Sequence, residues 1–257
     1  MSTKQGTPDP HRTAALEAAI DKAMAFPVAR VRSYVDSIRR KHPSATPEEI
    51  IRILEKRYLL AVSASGGAVG AVAAVPAVGT GVALMLTSGQ VAGFLAASSL
   101  LGLAVADVHG IAVDDNERRR ALLLTSLLGE DAPELLQQQL GLSTVAWGRT
   151  LLTRLPLATV QSVNRSLRSK VLAGSAARVG TLMLGRLVPF GIGAAVGYAG
   201  SRVTGKQMIE GVQTAFGPPP TRFVREVNST FVIDDDPFDE ATRLERRSIQ
   251  DDVGGWS

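Results

Sequence analysis

Apolar positions along this chain recur at helical spacing, and they thicken into one run that no charge interrupts. From Tyr58 to Ala106, 49 residues pass without Asp, Glu, Lys or Arg. The run is built from Ala, Gly, Val and Leu and lacks the period-two alternation of a half-buried strand. A stretch of that kind has to be sheltered by protein or by lipid. A break at Val75-Pro76, followed by Gly79 and Gly81, divides it into Leu59–Val75, 17 residues, and Val82–Ala106, 25 residues. A spanning helix takes about 20 apolar residues. Three arrangements follow: two spans joined at Pro76, a re-entrant hairpin, or a close-packed hairpin inside a soluble bundle. Gly and Ala let helix backbones approach closely in lipid or in water. The favoured arrangement is a hairpin embedded in a membrane or pressed against one.

The flanking pattern is also helical. Residues 1–13 are polar, with Pro8 and Pro10, and read as a disordered tail with no signal peptide, so the chain is expected to begin in the cytoplasm. A helix is expected from Thr13 to Phe26, with Leu16, Ile20 and Met24 on one face, and Pro27 interrupts it. A second, Val28 to Arg40, carries Val31, Tyr34, Val35 and Ile38 and ends at His42-Pro43. Thr46-Pro47-Glu48-Glu49 has the form of a capping box with proline in the first turn, and opens a helix that runs into the charge-free stretch. Short helices are expected over 121–128 and 133–140, and a third from a Thr144 cap through Leu155 to a break at Pro156. Leu157, Val160, Val163, Leu167 and Val171 then line one side of a helix, opposite Gln161, Arg165 and Arg168. A helix lying in a membrane interface has such faces, and so does an ordinary surface helix, which is the favoured reading.

A second Gly/Ala-rich stretch, Val171 to Gly200, repeats the corner of the first: Val188-Pro189 followed by Gly191 and Gly193. The fold class that results is all-α, a multi-helix bundle with two Gly/Ala-rich helical hairpins broken at Pro76 and Pro189. A last helix carries Met208, Ile209, Val212 and Phe216 and is stopped by Gly217 and three prolines. Phe223 to Ile233 reads as a short extended piece. The domain plan is therefore a tail over 1–13, a helical domain over 14–217, and a largely disordered acidic tail over 218–257.

Charge changes this picture in one respect. The net charge of +4 combines −5 from Asp234 onward with +9 on the remainder. Between Glu134 and Glu210 there is no acidic residue, while nine basic ones occur: Arg149, Arg154, Arg165, Arg168, Lys170, Arg178, Arg186, Arg202 and Lys206. One-signed charge over such a length suggests an anionic surface, lipid headgroups or nucleic-acid phosphate, and fits equally a solvated basic face balanced by the acidic tail. Arg149, Arg154, Arg165, Arg168 and Lys170 are the candidate headgroup contacts. With aromatics at 5% and no helix-turn-helix or basic-zipper pattern, nucleic acid is not expected as a partner.

Few residues here point to catalysis. There is no cysteine, which removes disulfides, thiolate chemistry and Cys-type metal sites. Gly200 to Gln207 nearly matches a phosphate-binding loop, but Gln207 stands where a Ser or Thr hydroxyl holds magnesium. Asp107, His109, Asp114 and Asp115, with Glu117, are the metal candidates, and a metal-dependent enzyme is the least favoured function. The simpler reading of that cluster is a polar exit whose carboxylates cap the next helix. No catalytic residue and no cofactor is assigned.

Several of these motifs combine. Pro76-Ala77-Val78-Gly79-Thr80-Gly81, then Phe94 through Leu103, Ala106-Asp107-Val108-His109-Gly110, Asp115, Arg118-Arg119-Arg120 and Leu127-Leu128-Gly129 resemble the EcsC family. Leu187 through Gly197, Gly205-Lys206 and Phe216-Gly217 do so too, which extends the likeness over roughly residues 55–217. Asp107-Val108-His109-Gly110 stands where that family's pattern has Glu-x-Tyr-Gly. The resemblance implies a bacterial, helical, membrane-associated protein and carries over no catalytic residue. The family's link to an ABC-transporter operon implies an envelope or transport role.

Together these readings predict a non-enzymatic protein on the cytoplasmic face of the membrane. Its partners would be anionic lipid and an envelope or transporter protein. The alternative is a soluble helical bundle that binds a lipid or isoprenoid in an apolar cavity.

Overall fold

The computed structural model describes residues 10–24, 26–73, 80–129, 131–141, 146–185, 192–227 and 236–238; side chains are described within these except at 10–13, 15–16, 69–73, 80–90, 172–185 and 192–196. Among the described residues every regular element is a helix: α1 Pro10–Ala23, α2 Val28–Lys41, α3 Pro47–Ala73, α4 Thr80–Val108, α5 Asn116–Leu128, α6 Asp131–Leu140, α7 Trp147–Thr153, α8 Leu157–Gly185 and α9 Ile192–Phe216. The all-α bundle expected from the pattern is what forms.

Local signals set most of the boundaries. Pro27 occupies the N-cap of α2. At the start of α3 the Thr46 amide donates to Glu49 Oε2 at 2.7 Å, and the Glu49 amide donates back to Thr46 Oγ1 at 3.3 Å. This reciprocal pair satisfies two amides the helix would otherwise leave bare. Asp115 Oδ1 accepts from the Arg118 amide at 3.0 Å and starts α5, and Gly129 ends it with φ at 57°. Helix α1 begins at Pro10, three residues before the expected Thr13. The seventh helix is shorter than its pattern, Trp147–Thr153, and its expected cap, Thr144, lies outside the described residues.

The long helices depart further from expectation. The amphipathic helix does not stop at Val171 but continues to Gly185 as α8, 29 residues in all. The last helix starts at Ile192, so Gly200–Gln207 lies inside α9. A phosphate-binding loop needs a turn before its helix, and a continuous helix removes that reading. The expected breaks at Pro76 and Pro189 lie outside the described residues, between the last described residue of α3 and the first of α4 and between those of α8 and α9. Gly79 and Gly191 lie outside them too, while Gly81 and Gly193 are the second residues of α4 and α9.

Helix pairing follows the glycines. The most extensive packing is between α3 and α9. A Cβ built on Gly66 would lie 1.9 Å from Ser201 Oγ and 2.7 Å from the Gly197 carbonyl oxygen, and one on Gly205 would lie 3.0 Å from Leu59 Cδ1. Gly66 opposite Ser201 and Gly205 opposite Leu59 make the pair antiparallel. Two further glycines bring other helices against α9. A Cβ on Gly211 would lie 2.4 Å from the Ser126 carbonyl oxygen of α5, and one on Gly148 of α7 would lie 2.7 Å from that of Ala215. Helix α4 packs on α3, α1, α2 and α5, and α8 packs on α5.

This arrangement gathers the apolar helix ends. Seven residue steps separate Ala73 from Thr80, and seven separate Gly185 from Ile192, each reaching at most about 25 Å. The antiparallel pairing puts the end of α3 beside the start of α9, and the start of α4 and the end of α8 each lie within that reach of them. Among the described residues one window, Val91–Val108, is long and apolar enough to cross a membrane; its mean hydropathy is 1.9, and 78% of it is buried inside the molecule.

Candidate functional site

The opposite end of the bundle holds the polar chemistry. Two pieces of the C-terminal stretch expected to be largely disordered, 218–227 and 236–238, are described, and both carry residues seated on the helices. Arg225 donates to both carboxylate oxygens of Asp36, at 3.0 and 2.8 Å, and to Asp107 Oδ2 at 2.8 Å. Asp36 is buried, and its two hydrogen bonds push the Arg225 guanidinium further above its ordinary range, with Asp107 adding to the effect. Arg39 donates to the Arg225 carbonyl at 2.9 Å while its guanidinium lies 3.8 Å from the centre of the Phe223 ring. Val224 presses on Gly110, where a Cβ would lie 2.7 Å from Val224 Cβ and φ is +73°.

The second piece is a short anchor. Asp236 Oδ1 accepts from the Tyr34 hydroxyl at 2.9 Å, and Oδ2 accepts from Arg57 at 3.3 Å. Phe238 is fully buried, its ring edge-on to Tyr34 at 5.8 Å and to Tyr58 at 6.0 Å. Behind them the Tyr58 hydroxyl and Ser98 share a buried hydrogen bond of 3.0 Å. Burial and the neighbouring Asp236 charge push the Tyr34 phenol above its ordinary range, so it stays a donor.

The weak metal candidates Asp107, His109, Asp114 and Asp115 each have other partners, in keeping with the favoured reading of a polar exit. Asp107 binds Arg225 and lies 3.6 Å from Arg32; Asp114 pairs with Arg32 at 3.8 Å; Asp115 caps α5. His109 stacks on Phe216 at 5.2 Å, and burial, with Arg149 nearby, lowers its pKa from 6.5 to about 4. No group of three potential ligands occurs among the described residues.

The five candidate headgroup contacts, Arg149, Arg154, Arg165, Arg168 and Lys170, are all exposed. Arg168 also pairs with Glu17 of α1 at 3.0 Å. Val160, Val163 and Leu167 of α8 are buried in the bundle, whereas Leu157 is 42% exposed. The apolar side of this helix is thus spent on the core, and its basic side faces outward, as in a surface helix. Asn164 sits on the inner side and donates to the Glu117 carbonyl at 2.9 Å and to Glu117 Oε2 at 2.8 Å.

The arginine triplet has a different role. Arg118 donates to the carbonyls of Leu151, Leu152 and Leu155 at 3.0, 2.6 and 2.8 Å, satisfying the end of α7. Arg119 binds the Val113 carbonyl at 2.9 Å, and Arg120 pairs with Asp21. Sequence reasoning missed Asp36, Arg225, Asp236 and Phe238. The signal for Asp36 was a lone carboxylate beside the apolar face of α2; Arg225 lay in the piece expected to be extended, of which 223–227 is described without regular structure, and Asp236 and Phe238 lay in the acidic tail, whose composition reads as solvated. Compared with family models, curated proteins and solved structures, the chain matches none of them.

Proposed function

We propose that this is a membrane-associated helical protein of EcsC type. Its uncharged helix ends dip into the cytoplasmic leaflet, and the α8 cations Arg165, Arg168 and Lys170 meet anionic headgroups. Its role is non-enzymatic support of envelope or transport machinery. The observation that carries this reading is the antiparallel pairing of the Gly/Ala-rich ends of α3 and α9, with the start of α4 and the end of α8 within about 25 Å of them. On α3 and the start of α4 these ends carry no charge. From Leu59 to Ala73 the helix rises about 22 Å, less than the roughly 30 Å of a hydrocarbon core, which favours insertion from one side over crossing. Exposed Leu60 (64%) and Val203 (58%) lie on the same α3–α9 pair and extend the apolar surface. Each cation near an anionic surface adds about 1 kcal/mol. Co-sedimentation with vesicles of mixed phosphatidylglycerol and phosphatidylcholine tests this. Binding that falls with salt but needs detergent for full release is expected; recovery wholly in the supernatant at low salt overturns it.

One observation favours a second reading. The 78% burial of Val91–Val108 is what the core helix of a soluble bundle shows, and such a bundle would carry a lipid or isoprenoid between its small-residue helices. Native mass spectrometry of detergent-free protein decides it: a retained lipid mass supports this reading, and a bare chain removes it.

A further inference from the structure

We propose that the pocket formed by Tyr34, Arg57 and Tyr58 is a recognition site for a short acidic peptide in which an aspartate stands two residues before a phenylalanine, and that the chain's own Asp236-Pro237-Phe238 occupies it in this structure. The geometry is that of a linear motif. The ligand-like contacts come from three consecutive residues: Asp236 accepts from Tyr34 at 2.9 Å and from Arg57 at 3.3 Å, while Phe238 inserts edge-on between two tyrosine rings. The motif also shapes itself. The Phe238 amide donates to Asp236 Oδ1 at 3.1 Å, closing an aspartate turn, and Pro237 fixes the backbone between them. A segment ordered by its own bonds loses little entropy on docking.

Charge fits the same occupant. Asp234, Asp235, Asp239 and Glu240 flank the motif, in a segment of net −5, and the remainder of the chain carries +9. The Arg57 side chain keeps 34% of its surface and Asp236 28%, so the rim of the pocket opens to solvent while the ring seat is buried. An acidic segment presenting the same pair of groups fits this seat and competes with the chain's own copy. That copy is tethered, so its effective concentration keeps the site shut to weak rivals. The inference does not depend on membrane association.

The test uses the full chain and a fluorescein-labelled peptide with the sequence of residues 233–241, followed by fluorescence anisotropy. Phe238→Ala empties the ring seat, and this variant is expected to bind the peptide at least tenfold more tightly than the unaltered chain. Adding Arg57→Ala, or replacing the peptide's phenylalanine with alanine, is expected to reverse that gain. A Phe238→Ala chain with an unchanged circular-dichroism spectrum and no gain in affinity overturns the proposal. So does a gain that survives loss of the peptide's phenylalanine. Should Phe238→Ala unfold the chain, Asp236→Asn removes only the charge; a several-fold gain supports the site, and no gain overturns it.

Discussion

Near the start of α3, Thr46 and Glu49 exchange hydrogen bonds, Gln213 reaches Glu55 at 2.7 Å, and Arg57 holds Asp236. Further along the same helix, Gly66 meets the Gly197 carbonyl so closely that a methyl group would not fit. The first region is specified by paired polar groups, the second by backbone shape. Polar pairs fix which groups meet, because hydrogen bonds demand particular partners and directions. Close glycine contacts fix how near two helices lie and need no charge, so they can operate against lipid or against protein. The difference separates a region built for internal specificity from one whose surroundings the chain leaves open.

The comparison can be broken from either side. The largest effect is expected at Asp36. Asp36→Ala removes two hydrogen bonds to Arg225, which keeps Asp107 as a partner, and should cost about 3 kcal/mol in denaturant unfolding, at about 1.5–3 kcal/mol per charged hydrogen bond, with vesicle binding of the folded fraction unchanged. Acid should act next. The folded pKa of His109 is depressed to about 4 from 6.5, so its contribution is full above pH 6.5 and lost as pH falls through that window. The loss is on the order of 3 kcal/mol, and His109→Phe should flatten the pH dependence of the melting midpoint between 6.5 and 4. Gly66→Ala should cost about 1–3 kcal/mol by forcing α3 from α9. Gly200→Ala, with nothing within 4 Å of its Cβ position, should instead stabilise by up to about 1 kcal/mol; equal effects at the two glycines would remove the close-approach argument. The smallest effect is expected at the surface. Arg165→Glu with Lys170→Glu should weaken vesicle binding by about 1 kcal/mol or more per cation and leave the melting midpoint within a degree or two.

What was legible in the sequence was local. Thr46 with Glu49, Asp115 before its helix, and the proline breaks act over a few residues, so their reading needs no knowledge of the rest of the chain. The outward face of α8 was legible for the same reason, since periodicity places Arg165 and Arg168 opposite Val160, Val163 and Leu167. Two hairpins about Pro76 and Pro189 were also expected; those corners lie outside the described residues, and the most extensive packing of α9 is on α3. Nothing local distinguishes Gly66 as the residue that receives Ser201 from a glycine such as Gly200 that meets nothing. The seats of Arg225 and Phe238 were hidden for a related reason. Their partners, Asp36 and Tyr34, lie about 190 and 200 residues away, and a polar stretch advertises solvent even when Phe238 within it is fully buried.

The antiparallel match of α3 with α9 also has a consequence in time. The face of α3 that receives α9 is synthesised about 140 residues before Gly205 leaves the ribosome, and at roughly 5–20 residues per second that is a wait of about 7–30 s. Throughout that interval a nascent helix rich in Ala, Gly and Val is without its permanent cover. Chaperones or a bilayer would therefore meet it first, and ribosome profiling of chaperone-bound chains should show occupancy that begins after Ala73 emerges and falls once α9 has.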